Sequence, residues 1–166
     1  MQCSKTDKSV KEAIQKLCDI VVTLRSKEGC PWDRAQTHQS LKPCIINETA
    51  EVLAAVDLYK TLGDSENLCE ELGDLLFLII LQSQIAQEEG LFTLEDVISG
   101  ISQKMVRRHP HVFQIEKDGE EIPKWEDIKK REKQRKDSTF FEAQKKALYQ
   151  TQNEMINYLR QELEKV

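Results

Sequence analysis

Apolar residues at Val10, Ala13, Ile14, Leu17, Val21 and Leu24 recur at i, i+3, i+4 and i+7, which predicts an amphipathic first helix over Val10 to Leu24. Gly29-Cys30-Pro31-Trp32-Asp33 then breaks the period, and with the polar residues up to Ser40 it reads as a loop that holds one aromatic. Pro43 suits the first turn of a second helix, where its missing N–H leaves no hydrogen bond unmade, and Gly63 stops that helix after Leu62. Asp64 or Ser65 can cap a third helix that runs to Glu89 and is closed by Gly90. Its centre, Leu75 to Leu81, is apolar on every side and so must be covered on every side. In so short a chain a second subunit is the expected cover. Thr93 with Asp96 resembles a capping box that opens a fourth helix through about Arg108. The stretch from His109 to Ile122 reads as a loop, and Pro123 opens a charged helix from Trp125 to about Lys136. A last amphipathic stretch from Phe140 to Leu163 carries Phe141, Leu148, Met155, Leu159 and Leu163.

Composition agrees with few, long elements. Gly and Pro together make only 10 of 166 residues, too few turn formers for many short strands, and Leu, Ile, Val and Phe make 44, enough for a packed core. The expected fold is all-α: a helical bundle with a four-helix core and extra C-terminal helices, completed by dimerisation. A formal net charge of −5 argues against a nucleic-acid polymer as partner, because affinity for a phosphate backbone rests on an excess of Lys and Arg. No apolar run approaches the roughly 18 residues of a membrane span, and the polar start is no signal peptide, so no membrane association and a cytoplasmic location are expected. Five cysteines, odd in number and without C-x-x-C, fit neither a disulfide framework nor a zinc site.

The chemistry signal lies in the second and third helices, at Asn47-Glu48-Thr49-Ala50-Glu51 and Glu70-Glu71-Leu72-Gly73-Asp74. A spacing of i, i+3 puts Glu48 and Glu51 on one helix face, and Glu71 and Asp74 on another. The two helices are joined by a short connection and should be antiparallel neighbours, so the four carboxylates are expected to meet. Most glutamates on helices are solvated. Here, however, Glu48 lies in line with Ile45, Val52 and Tyr59, and Asp74 in line with Leu78, Leu81 and Ile85. Partly buried acids so placed would repel one another unless a cation neutralised them, and an all-oxygen set suits Mg²⁺, with Mn²⁺ as a substitute. A diiron site would need two Glu-x-x-His pairs, and none of His38, His109 and His111 has a Glu three residues before it. Phosphate ligands must come from elsewhere than a Gly-rich loop, which the chain lacks. Lys104 and Arg108 share a face at the end of the fourth helix and could grip one anion, although cations there also complement the helix dipole.

The ordered blocks Gly29-Cys30-Pro31-Trp32-Asp33, Gln36-Thr37-His38, Ser40-Leu41-Lys42-Pro43, Glu48-x-x-Glu51, Glu71-Leu72-Gly73-Asp74-Leu75-Leu76 and Arg107-Arg108-His109-Pro110-His111-Val112-Phe113 resemble the MazG nucleoside triphosphate pyrophosphohydrolases over roughly Val10 to Lys136. The resemblance implies an all-α, homodimeric or higher homo-oligomeric, Mg²⁺-dependent enzyme that cleaves nucleoside triphosphates to the monophosphate and pyrophosphate. Residues 1–136 would be the MazG-like domain and 137–166 a helix packing on it or on a partner subunit. Carried over by position, the metal motif falls on Glu48, Glu51, Glu71 and Asp74. The basic helix falls on Lys104, Arg107 and Arg108, and a W-x-x-x-K element on Trp125 and Lys129. Glu51 or Glu48 would accept the proton of the attacking water, Lys104 and Arg108 would neutralise charge on the pyrophosphate, and Trp125 or Trp32 would stack on the base. Many members read Glu-Glu-x-x-Glu where this chain has Asn47, and the Cys-Pro-Trp-Asp block resembles the first of two domains in longer members. Both departures motivate a rival expectation: a catalytically weak nucleotide-binding or protein-interaction module that retains the bundle.

Overall fold

A computed structural model of the chain describes residues 6–113, 125–134 and 137–164. Among them are eight helices and no strand: α1 (Thr6–Arg25), α2 (Pro31–Ala35), α3 (Lys42–Leu62), α4 (Ser65–Glu88), α5 (Leu94–Arg108), α6 (Pro110–Phe113), α7 (Trp125–Gln134) and α8 (Ser138–Leu163). The all-α expectation holds. The first helix starts earlier than the apolar period alone suggests, at Thr6. Two stretches read as loop are corrected. Pro31–Ala35 forms a helical turn, since Pro31 stands at its start, where a fixed φ favours helix and no N–H is needed. Pro110–Phe113 does the same after His109. The remainder of that expected loop, with Pro123 and Lys136, lies outside the described residues.

The chain divides into two compact units, Met1–Leu94 and Glu95–Val166. In the first, α3 and α4 pack along each other and α1 packs on α4 and α2. Their core comprises Val21, Leu41, Leu78, Ile80, Leu81 and Ile85, with Leu17, Cys18, Cys44, Ile45, Phe77 and Leu94 packed against it. The α3–α4 hairpin is set by its connection. Gly63 takes φ 76°, a left-handed conformation that costs a glycine little, and its N–H donates to Tyr59 O at 2.9 Å. Asp64 then caps α4, its Oδ1 accepting from the N–H groups of Glu66 (3.1 Å) and Asn67 (3.0 Å).

The C-terminal ends of α1 and α4 are tied by Arg25, whose side chain is only 7% exposed. Its Nη2 donates to Glu88 Oε2 at 2.6 Å and its Nε to both Glu88 oxygens at 3.0 Å. Its Nη1 reaches the carbonyls of Asp33 (2.6 Å) and Gln36 (3.3 Å) at the end of α2. The turn between α1 and α2 depends on Gly29. A Cβ there would stand 2.2 Å from Thr23 O and 2.4 Å from Leu24 O, so the chain can pass this close to the end of α1 only without a side chain. Gly73, inside α4, differs: a Cβ there would meet nothing within 4 Å.

Among the described residues of the first unit, the apolar centre of α4 has one buried and one exposed side. Leu78, Ile80 and Leu81 are buried, whereas Leu72, Leu76 and Ile79 are 50%, 42% and 45% exposed and form one i, i+4, i+7 stripe. On α3, Leu53, Val56, Tyr59 and Leu62 are exposed as well. None of the described helices is long and apolar enough to cross a membrane.

Candidate functional site

Two of the four expected acids project from each helix of the α3–α4 hairpin, and three of them converge. Glu48 of α3 and Glu71 and Asp74 of α4 each offer a carboxylate oxygen, and these oxygens lie within 4.8 Å of one another. Glu48 and Glu71 are half-buried and Asp74 is exposed. Glu51 stands outside this trio, one turn along α3 from Glu48. Burial raises the Glu48 carboxyl above its ordinary value, and the charge of Glu51, a hydrogen bond with Glu51, and the charges of Asp74 and Glu71 add to the rise. The repulsion that Glu48 meets there is what a bound cation would relieve. Glu48, Glu71 and Asp74 offer oxygens close enough to serve one ion together. A set of carboxylates alone has the chemistry of hard divalent cations.

Each helix aims one acid with an asparagine four residues earlier. Asn47 Nδ2 donates to Glu51 Oε1 at 2.9 Å, and Asn67 Nδ2 donates to Glu71 Oε1 at 2.9 Å. Asn47, noted in the sequence as a missing acid, is therefore the residue that orients Glu51. The i, i+4 spacing of Asn67 to Glu71 is the sequence signal for this bond. Trp32, in α2 of the same unit, is 57% exposed.

The second unit holds the expected cations. Arg107 and Arg108 end α5, and both guanidiniums engage Glu132 of α7. Trp125 lies beside them, with Lys129 Nζ 4.3 Å and Arg108 Cζ 5.7 Å from its ring centroid, both within cation–π range. Lys104, one turn before Arg108 on α5, is half-buried. His109 is engaged locally, its Nδ1 within 2.7 Å of Met105 O.

Residues 36–113, which contain the acidic cluster and the basic end of α5, match the MazG nucleotide pyrophosphohydrolase domain. The chain carries a MazG domain. It is 46% identical over 125 residues to the nucleoside triphosphate pyrophosphohydrolase/pyrophosphatase MazG of Thermotoga maritima, covering 75% of this chain and 47% of that protein. It is 43% identical over 127 residues to the nucleoside triphosphate pyrophosphohydrolase of Escherichia coli K12, covering 74% and 47%. With the uncharacterized protein YabN of Bacillus subtilis it shares 47% identity over 132 residues, covering 78% of this chain and 26% of that one. This MazG chain thus spans about half or less of the length of these relatives. The helix α8 lies beyond the matched MazG residues.

Proposed function

We propose that this MazG protein hydrolyses nucleoside triphosphates, ribo or deoxy, to the monophosphate and pyrophosphate, with Mg²⁺ as its cation and Mn²⁺ as a substitute. The observation that carries this reading is the convergence of Glu48, Glu71 and Asp74 from two facing helices. The names of the Thermotoga and Escherichia relatives support it. A bound divalent cation would neutralise the acidic cluster, draw in phosphate oxygens and acidify a water. Glu48, Glu71 and Asp74 are the ligands, with Glu51 completing the acidic set. Held by Asn47 outside the trio, Glu51 accepts the proton of the attacking water as its oxygen adds to the α-phosphorus, and pyrophosphate departs with the electrons of the broken P–O bond. Lys104, Arg107 and Arg108 balance phosphate charge, and Trp125 with Lys129, or Trp32, offers a stacking face for the base.

The same reading assigns residues 1–136 to the MazG-like domain and 137–166 to an added helix. It gives the protein a cytoplasmic role in clearing unwanted nucleotides from the pool. A homodimer or higher homo-oligomer would cover the stripe of Leu72, Leu76 and Ile79. Incubating the purified chain with each NTP and dNTP and Mg²⁺, while assaying both pyrophosphate and monophosphate, tests the activity. Glu71→Gln and Asp74→Asn should each lower kcat/KM by about a hundredfold or more. Equal rates in parent and variants would refute the assignment of the site. Nucleotide binding without product from any substrate would favour the weakly catalytic binding module that Asn47 suggests.

A further inference from the structure

One carboxylate joins the last turn of α5 to α7. Glu132 Oε1 accepts from Arg107 Nε at 2.8 Å and Nη2 at 2.5 Å, and Glu132 Oε2 accepts from Arg108 Nε at 3.0 Å and Nη2 at 2.7 Å. The Glu132 and Arg108 side chains are 19% and 16% exposed, and that of Arg107 is 49% exposed. The Nε and Nη2 edge is one of the forks with which a guanidinium grips a carboxylate or a phosphate, and on both arginines this edge is already engaged. Two guanidiniums on successive residues repel when brought to one point, so their convergence marks a place that selects for an anion. Here the chain supplies that anion itself. Lys129 and Arg108 flank Trp125 at the same place, so a ligand with negative charge and an aromatic ring would find both complements there.

We propose that Glu132 is an internal competitor for the phosphate-gripping edges of Arg107 and Arg108, and that a polyphosphate ligand must displace it to bind. The proposal rests on the reading of Arg107 and Arg108 as phosphate contacts given above. The two guanidiniums in turn hold the Glu132 carboxyl below its ordinary value, so it stays a charged competitor throughout the neutral range. A tethered competitor weakens every ligand that needs both forks by the same factor, the ratio of closed to open states. It thereby sets affinity without touching the acids of the first unit. It also reseats on the arginines when the ligand leaves, which keeps the paired cations from standing unneutralised.

The test is calorimetric titration of the full chain with inorganic tripolyphosphate in low salt without divalent cation. Parent, Glu132→Gln and Glu132→Ala are compared, each checked by circular dichroism for parental helix content. Both variants should bind about tenfold more tightly than the parent, as for a competitor closed roughly ten times out of eleven. The gain should vanish when Arg107→Ala and Arg108→Ala are added to Glu132→Gln. A purely structural role predicts the opposite sign, because losing the tie would disorder both arginines and weaken binding. Unchanged or weaker binding in the folded variants, or no binding by any of them, overturns the proposal. The hydrolase reading fails separately: a chain that cleaves no NTP with Mg²⁺ yet shows the gain keeps the competitor and loses the activity. A chain that cleaves NTPs while the variants bind like the parent keeps the activity and loses the competitor.

Discussion

Replacing Asp74 by Asn should change the stability of this protein in opposite directions with and without a divalent cation. The oxygens of Glu48, Glu71 and Asp74 lie within 4.8 Å of one another, so removing the charge of Asp74 relieves two repulsive pairs. At that separation each pair amounts to about 0.9 kcal/mol in water and more where the dielectric is lower, and Asp74 is exposed, so the water value is the appropriate one. Screening at about 0.15 M salt roughly halves it, leaving about 1 kcal/mol of stabilisation for Asp74→Asn in the presence of EDTA. With cation at a hundredfold excess over its Kd, the parent gains about 2.7 kcal/mol, most of which the variant forfeits, so the order reverses. Urea unfolding of both proteins, followed by circular dichroism at 222 nm in EDTA and in Mg²⁺, reads the four stabilities. If Asp74→Asn were the less stable protein in EDTA, or if Mg²⁺ stabilised both equally, the cluster would not be a cation site. The pH dependence in EDTA supplies a second check. The folded state raises the Glu48 carboxyl, so folding carries a penalty at neutral pH that is relieved as pH falls through the raised value toward the ordinary one. Glu88 behaves oppositely: Arg25 lowers it, so its contribution is present above the ordinary carboxylate value and lost as pH falls through the lowered one. Stability in EDTA should therefore rise slightly on mild acidification before it falls.

Arg25→Ala takes the guanidinium from the carbonyls of Asp33, which keeps the Gln36 N–H, and of Gln36, and it removes the fork on Glu88. It should cost about 2–4 kcal/mol in urea unfolding, and a loss under 0.5 kcal/mol would show that the tie contributes nothing. Gly29→Ala places a methyl group 2.2 Å from Thr23 O and should destabilise by about 2 kcal/mol or more, whereas Gly73→Ala, in open space within a helix, should stabilise by about 0.5–1 kcal/mol. Thermal melts of the two variants moving in the same direction would contradict this. Leu76→Arg with Ile79→Glu breaks the exposed α4 stripe and should convert the proposed dimer to a monomer on light-scattering chromatography. An unchanged mass would place any interface elsewhere.

The boundaries of α3 and α4 were legible in the sequence because the signals are local. Pro43 lies in the first turn of α3, Gly63 ends it with a left-handed turn, and Asp64 bonds amides two and three residues on, all within one turn of chain. The pairing of Glu48 with Glu51 and of Glu71 with Asp74 was legible for the same reason, since i, i+3 spacing fixes a shared face. The turn at Pro31 escaped because its helix is only five residues long, too short to show a period.

The sequence alone determined the long helices α3 and α4, the caps at Gly63 and Asp64 and which acids share a face, for each depends on bonds spanning four residues or fewer. Tertiary structure decided which side chains finally meet. Only the packing of α3 on α4 brings Glu48, Glu71 and Asp74 together. The same holds for Arg25, which finds Glu88 across 63 residues, and for Arg107 and Arg108, which find Glu132 across 25 and 24. A charged side chain near a helix end reads the same in sequence whether it faces water or a partner. What separates the two cases is the distance between elements far apart in the chain, and that is set by the packing.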